Sequence, residues 1–497
     1  MTSAVTPAAP SARGVLGVSA SLIGFLFAVE LTSGILQGYY VPLISDLVQH
    51  LGIRDADFNW FEAAQLLLSA LVVPVLAKLG DMTGHKRMLL VATVVTAGAS
   101  WWLVVANDFT SFLVAWALQG FYVVWLPLEV ALIFDRGRRS GRAASQTRRA
   151  AGLLVVALET GAIVGALAGG VVFTALGGDV GLTLTIPAIA VTLVFFVILF
   201  GVPESTPEPG KRTLDVVGFT LLTIGLLLIT SGLTFLRVNG PGTWWVWVLM
   251  LVGVLAFIPF GRWELRQRDP AIDLRVLRQP SMWPVQLTAG LVGISLLGAQ
   301  APLSTFAGTD PANGYGLGLA ATSRSILIGA YLLSMIVGAL LFPLVSRRSS
   351  PRVALIAATF LVAIAYALFL PFHQETWQVV TNMVIAGLGS GALVGALPAA
   401  AAAAAPAGQT GIAAGLTNTT KTIGGSFASA VFAVVLFHGA STAVGATASS
   451  LSGYLVVWAI CAGGALAAAV LLFFVPKLAF ADPAPDARPA PSPVSSP

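Results

Sequence analysis

Long apolar runs separated by short polar segments make up most of the chain. Each run is about 20 residues long, which is the length that an α-helix needs to cross the hydrocarbon core of a bilayer. The pattern therefore predicts an all-α polytopic membrane protein with 14 transmembrane helices, which we number as spans 1 to 14. Their approximate limits are 15–40, 58–77, 87–106, 110–133, 150–175, 181–202, 214–236, 244–262, 282–306, 324–345, 352–372, 377–405, 411–437 and 452–476.

Composition agrees with this class and excludes several others. Of the 497 residues, 57% are hydrophobic and 9% are charged, whereas soluble domains carry about 25% charged residues. The single Cys461 excludes an intrachain disulfide or a cysteine-cluster metal site, and the four His residues lack metal-ligand spacing. The sequence contains no nucleotide-binding motif. We therefore expect no enzyme activity, cofactor, metal or nucleic-acid partner.

Basic residues alternate between the two sides of the predicted membrane. The formal net charge is +5, and the loops that follow even-numbered spans hold nearly all of the bases, including six Arg within 136–149 and five within 262–278. Such loops favour the cytoplasmic side. The alternation predicts a multi-pass protein of the cytoplasmic membrane with both termini in the cytoplasm. The Ala- and Gly-rich composition suggests a bacterial source.

Polar segments also divide the chain into units of six, two and six spans. The tails are rich in Pro and Ala, a composition that disfavours a packed core. We expect a disordered N-terminus at 1–14, a six-helix bundle at 15–203, a linker with two additional transmembrane helices at 204–280, a second six-helix bundle at 281–480 and a disordered C-terminus at 481–497.

The most specific motif lies between spans 2 and 3, where residues 76–89 read LAKLGDMTGHKRML. Its glycines allow the backbone to turn tightly between two helices. Its aspartate can accept hydrogen bonds from the N-terminus of a neighbouring helix, and its bases favour the cytoplasmic side. The residues that carry this signature loop are Gly80, Asp81, Gly84, His85, Lys86 and Arg87.

The signature loop resembles the loop between spans 2 and 3 of the major facilitator superfamily, G-x-L-(A/G)-D-(R/K)-x-G-(R/H)-(R/K)-x-x-L, with Ala77 and Met82 as departures. The resemblance implies the fold of that family, in which two six-helix halves surround a central cavity and rock about a site at the membrane midplane. It also implies that Asp81 latches the cytoplasmic side near the start of span 13, around 409–411.

Span 5 carries Gly161, Gly165, Gly169 and Gly170. Glycines four residues apart form a smooth helix face that lets another backbone approach closely, so simple packing explains the spacing. The same residues resemble the span-5 signature of facilitator-superfamily antiporters, G-x-x-x-G-P-x-x-G-G, with Ala166 in place of Pro. In that family this helix is linked to export.

Two further stretches resemble the fourteen-span drug:proton antiporters of that superfamily. Span 13 matches N-x-x-R-x-x-G-G from Asn418 onward, with Lys421 in the position of the Arg. Span 4 matches R-x-x-Q-G at Gln119 and Gly120, but Trp116 replaces the Arg. That Arg is implicated in proton transfer across the family. Its replacement by Trp116 therefore leaves open whether transport is coupled to protons.

Charged residues within spans are costly and are therefore functional candidates. The proton or coupling candidates are Glu30, Glu159 and Lys421, which lie near mid-membrane. Burial raises the affinity of a carboxylate for protons and a nearby cation lowers it again. Glu30 could instead make a structural hydrogen bond, and Lys421 could be a counter-ion or a substrate contact. Arg324 lies near a span end, from which a long side chain reaches water.

Polar and aromatic residues within the spans are candidates for the wall of the substrate cavity, although aromatic side chains also form belts at the membrane interface. The candidates are Gln37, Gln65, Gln119, Tyr122, Gln286, Tyr331 and Asn418.

The sequence therefore favours a secondary active transporter that exports small amphipathic molecules, cationic or neutral, in multidrug or natural-product efflux. The resemblance implies that protons and the proton gradient supply the energy, and we expect a monomer in the lipid bilayer. One alternative is a dedicated exporter or uniporter of a single metabolite that is not coupled to protons. A membrane-embedded sensor or scaffold without transport is another.

Overall fold

The computed structural model describes residues 20–139, 143–204, 214–268, 270, 272–404, 410–438 and 447–474. Within these ranges 14 helical segments are long and apolar enough to cross a membrane, which confirms the predicted number and the all-α class. The predicted disordered tails and residues 205–213 of the linker lie outside the described residues. The spans are Ser21–Leu51, Asp55–Thr83, His85–Val105, Phe109–Phe134, Gly152–Ala175, Val180–Gly201, Val216–Leu236, Trp244–Glu264, Trp283–Gly308, Ala321–Arg348, Pro351–Leu368, Thr376–Ala401, Gly415–Phe437 and Leu451–Phe473.

Several spans depart from a continuous α-helix. Span 1 consists of helices Ala20–Tyr39 and Ile44–Leu51, joined by a 3₁₀ turn at Val41–Leu43. Pro42 within that turn has no backbone N–H to donate, so the α-helical hydrogen bonds are interrupted there. Span 4 contains a 3₁₀ turn at Gly120–Val124, and span 9 contains a π turn at Ile294–Gly298. Such turns bend a helix and often mark functional regions.

The two six-helix halves repeat one packing scheme. In the first half span 1 packs against spans 5 and 6, span 2 against span 4, and span 3 against span 6. In the second half span 9 packs against spans 13 and 14, span 10 against span 12, and span 11 against span 14. The halves meet where span 2 packs on span 13 and span 5 packs on span 10. This reciprocal interface is the geometry of a transporter built from duplicated halves.

Spans 7 and 8 pack against each other and contact the bundle through span 7, which touches spans 2 and 13. Asp215 fixes the start of span 7, because its carboxylate accepts hydrogen bonds from the Gly218 N–H at 2.8 Å and from Trp263 Nε1 at 2.9 Å. Trp244 and Trp247 at the start of span 8 are exposed, as residues of an interfacial belt should be. The additional pair therefore lies beside the interface between the halves.

Glycines bring spans 1 and 5 into backbone contact. A Cβ atom added to Gly34 would lie 1.9 Å from the carbonyl oxygen of Leu158, and one added to Gly161 would lie 2.0 Å from that of Leu31. Gly165 and Gly169 continue the contact, with the corresponding Cβ atoms 2.6 Å from the Ile35 oxygen and 2.3 Å from the Tyr39 oxygen. These distances leave no room for any side chain.

Gly170 serves a different contact from the three glycines before it. Its added Cβ would lie 2.3 Å from the Ala321 oxygen of span 10, and its N–H donates to Ser325 Oγ at 2.9 Å. The glycine face predicted from the sequence therefore joins span 5 both to its own half and to the other half.

Candidate functional site

The signature loop turns at a single residue. Span 2 is helical to Thr83 and span 3 begins at His85, so only Gly84 departs from helix, with φ at 115°. Gly80, expected at a turn, lies within the helix, where an added Cβ would be 2.8 Å from Leu128 Cδ2 of span 4. Because Gly80 has no side chain, spans 2 and 4 pack closely at this position, and the glycine does not form a turn.

The loop is anchored to the end of span 6. Glu204 accepts a hydrogen bond from the backbone N–H of Lys86 at 3.2 Å and lies 3.7 Å from Arg87 Nε. Lys86 Nζ donates to the Leu199 carbonyl at 2.8 Å. Within the loop His85 Nε2 is 3.2 Å from Asp81 Oδ1. Of the segment 409–411 that is predicted to meet Asp81, residue 409 lies outside the described residues, so the contact stays a prediction.

Polar contacts close the opposite face of the molecule, which we call the distal face. It contains the loops that follow odd-numbered spans. There Asp46 of span 1 lies 2.5 Å from Arg324 of span 10, so an ion pair joins the two halves. Arg324 is 2% exposed. The expectation that it reaches water from the span end is wrong, because packing of the halves buries it against a carboxylate.

A second set of contacts reinforces the distal closure. Tyr454 Oη lies 3.3 Å from Asp55 Oδ2 and 2.9 Å from Thr305 Oγ1, and the Asp55 N–H donates to the Thr447 carbonyl at 3.0 Å. Burial, together with the Asp55 carboxylate, raises the pKa of Tyr315, so its hydroxyl stays protonated. A polar cavity of about 130 Å³ lies among these groups.

Two acidic side chains are enclosed within the first half. Glu30 of span 1 and Glu129 of span 4 are both 0% exposed. Neither carboxyl group has a hydrogen-bond partner among the residues that the structure describes, and the two interact electrostatically. The absence of a partner for Glu30 argues against a structural hydrogen bond. Burial without a partner favours the neutral form of a carboxyl group.

Trp116, which stands where the resemblance places an Arg, belongs to an aromatic cluster. Its ring centroid lies 5.1 Å from that of Tyr40 and 5.2 Å from that of Phe58. Nearby, Gln119 Nε2 donates to Tyr40 Oη at 2.7 Å and to Ser100 Oγ at 3.2 Å. The region around Gln119 is therefore packed and hydrogen-bonded, with an aromatic ring where the resemblance places the Arg.

Glu159 and Lys421 approach each other from opposite halves. Both are half-buried, and their charges interact across the boundary between the two halves. No ion pair or hydrogen bond joins the two side chains in the described structure. The other proton candidate, Glu30, interacts with Glu129 instead, so the three candidates form two separate sites.

The predicted cavity residues have different environments. Gln37 is exposed, and Gln65, Tyr122 and Tyr331 are buried. Gln286 Nε2 donates to Thr417 Oγ1 at 3.0 Å, within the second half. Asn418 lines a small cavity together with Lys421.

The sequence analysis missed the distal contacts of Asp46, Asp55 and Tyr454, and the proximity of Glu129 to Glu30. The only local signal was a charge near the end of a span. Charges at span ends are ordinary on hydropathy grounds, because they reach water easily.

The chain is similar to known proteins in both sequence and fold. The family model described as "Major Facilitator Superfamily" matches residues 26–429. The cephamycin export protein of Amycolatopsis lactamdurans is 30% identical over 87% of this chain and 87% of its own length. The probable actinorhodin transporter of Streptomyces coelicolor is 26% identical over 82% of this chain and 70% of its own length. A solved structure of an auto-inhibited POT family peptide transporter, 16% identical, superposes with a TM-score of 0.65 over 94% of this chain and 99% of that one.

Proposed function

Because the chain belongs to the major facilitator superfamily, of the fourteen-span drug-transporter type, we propose that it exports small amphipathic molecules across the cytoplasmic membrane by proton antiport. The relatives named for cephamycin and actinorhodin support an exporter. Proton coupling rests on one observation, which is the fully buried Glu30 without a hydrogen-bond partner among the described residues. A carboxyl group in such a place can bind a proton in one conformation and release it when water enters in another.

The test is transport into inside-out membrane vesicles. Fluorescent amphipathic probes that are cationic, neutral and anionic are offered with and without an imposed pH gradient. Uptake of any of them that needs the gradient, and stops when an uncoupler removes it, supports antiport. Uptake that ignores the gradient contradicts antiport and favours the second candidate function, a dedicated exporter not coupled to protons. Trp116 in the place of the Arg motivates that candidate.

Glu30→Gln is expected to separate transport from the proton gradient. The amide of Gln does not bind or release a proton at physiological pH. Gradient-driven uptake should therefore fall at least roughly tenfold, while probe binding changes little. The measurement is the initial uptake rate at several imposed pH gradients.

The matched control for this variant is Glu264→Gln. Glu264 is also a buried acid, 1% exposed, but it lies in span 8 beside the bundle. Its removal should leave the gradient dependence intact. An unchanged dependence in Glu30→Gln, with a normal amount of folded protein, would remove Glu30 from the coupling mechanism.

A further inference from the structure

A small cavity inside the second half combines apolar walls with polar groups from one helix face. It has a volume of about 20 Å³, and its apolar lining includes Val292 of span 9 and Leu393 and Leu397 of span 12. Its polar lining is Thr417, Asn418 and Lys421 of span 13. Residues three positions apart on a helix share a face, so Asn418 and Lys421 present their side chains side by side.

Neither of these two side chains has a hydrogen-bond partner in the part of the chain that the structure describes. Thr417, in contrast, accepts a hydrogen bond from Gln286 at 3.0 Å. The ammonium group of Lys421 supplies three donors and no acceptor, and the amide of Asn418 supplies two donors and one acceptor. The free hydrogen-bonding capacity of the cavity is therefore mostly donor, and it carries a positive charge.

An unpaired cation in the membrane is costly and marks a functional site. Glu159 in the other half carries the opposite charge. It interacts electrostatically with Lys421, but the two side chains do not form an ion pair. Because spans 5 and 13 belong to different halves, this weak pairing depends on how the halves are arranged. The ammonium group is therefore available to a ligand in the present arrangement.

We propose that Lys421 and Asn418 form a subsite for the acidic group of the transported molecule, a carboxylate or a group of similar acidity on an apolar body. The proposal rests on the proposed export function and gives its substrate class as organic anions, in place of the cationic or neutral molecules that the family resemblance suggested. A charge-assisted hydrogen bond from the ammonium group and a second one from the amide would hold the acid. The same positive charge repels a cationic substrate.

The size of the cavity defines what it receives. A volume of about 20 Å³ accommodates about one water-sized group. It therefore has room for about one oxygen of the acidic group, beside Lys421 and Asn418, and the rest of the molecule lies outside it. An ionised Glu159 competes with that group for Lys421, so loss of the Glu159 charge strengthens the binding of an anion.

The experiment uses three forms of one fluorescent aromatic probe: the carboxylic acid, its uncharged methyl amide and the corresponding primary amine. Binding to the purified full-length protein is titrated by fluorescence anisotropy, and transport is measured in inside-out vesicles. We expect the carboxylate to bind roughly tenfold or more tightly than the amide, as expected for a hydrogen bond to a charged group. Lys421→Gln should abolish that preference and Lys421→Arg should keep most of it.

Two further variants test the arrangement of charges. Glu159→Gln should tighten carboxylate binding several-fold, because it removes the competing negative charge. Arg348→Gln removes an exposed cation at the end of span 10, outside the cavity, and should leave carboxylate binding unchanged. Size-exclusion profiles of all variants establish that the protein is folded, and Lys421→Arg provides a positive outcome if Lys421→Gln does not fold.

Saturable carboxylate binding that is unchanged in Lys421→Gln overturns the proposal, as does equal binding of acid, amide and amine. Absence of saturable carboxylate binding also overturns it. Failure of the proposed antiport looks different: carboxylate uptake would still depend on Lys421 but would ignore the pH gradient. Gradient-driven uptake of the amine without any effect of Lys421 would leave antiport standing and remove the anion subsite.

Discussion

Gly34→Ala is expected to destabilise the protein severely, whereas Gly24→Ala in the same helix is expected to leave it folded. The single added carbon at Gly34 would lie 1.9 Å from the Leu158 carbonyl oxygen and 2.7 Å from the Ala162 nitrogen. Both atoms belong to backbone and cannot move as a side chain can. Spans 1 and 5 would have to separate by more than an ångström along a contact that also includes Gly161.

The size of the effect follows from the cost of overpacking. One extra methyl group in a tight core costs about 1 to 3 kcal/mol and occasionally more, and the backbone contact at Gly34 belongs at or above the upper end. Gly24 has no atom within 4 Å of an added Cβ. There the substitution gains up to about 1 kcal/mol of helix propensity.

The measurement is the apparent melting temperature of both variants in the same detergent, together with the fraction that elutes as a monodisperse peak. Gly34→Ala should lower both the melting temperature and the monodisperse fraction strongly. Gly24→Ala should match the parent protein or melt slightly above it. Equal melting temperatures would mean that the two spans are not in backbone contact.

Asp46→Asn is expected to open the distal face. The substitution leaves the Arg324 guanidinium, 2% exposed, without its carboxylate. Removing one partner of a fully buried pair costs about 3 to 5 kcal/mol. The cost here belongs at the lower end of that range or below it, because the Asp46 side chain is 20% exposed. This cost applies only to the conformation in which the halves meet at the distal face, so it shifts the population toward the open conformation. An open distal face lets water hydrate the arginine.

Cross-linking across the distal cavity reports this shift. Gln49 of span 1 and Asn313 in the loop after span 9 are exposed and line the same cavity from opposite halves. Cysteines at these two positions, in a chain with Cys461→Ala, should react with a short bifunctional reagent. The yield should fall several-fold when Asp46→Asn is added. Removal of both charges, in Asp46→Asn with Arg324→Gln, should restore much of the yield, because no unpaired charge remains.

Asp108→Asn is the matched control for this experiment. Asp108 is another carboxylate on the distal face, but it accepts a hydrogen bond from the Ser111 N–H at 3.0 Å within its own half. The amide oxygen of Asn can accept the same hydrogen bond, and Asn caps helices about as well as Asp, so the substitution should cost little. The cross-linking yield should stay unchanged. If Asp46→Asn and Asp108→Asn behave alike, the ion pair does not hold the distal face closed.

The sequence by itself determined the number of spans and their all-α class. The free energy of placing an apolar segment in a bilayer depends on that segment alone, so a local count of residues suffices. The signature loop was also recognisable because its residues are contiguous. The glycine face of span 5 was visible for the same reason, since a helix repeats its face every three to four residues.

Only the tertiary structure decided which distant groups meet. Asp46 and Arg324 are 278 positions apart, and neither segment alone indicates that the other will bury it. Gly34 faces Leu158 because spans 1 and 5 pack at one particular register. Trp116 fills an aromatic cluster in which the resemblance had suggested a charge. These contacts depend on the packing of whole helices, which sums many small pairwise terms, and no local stretch of sequence contains that sum.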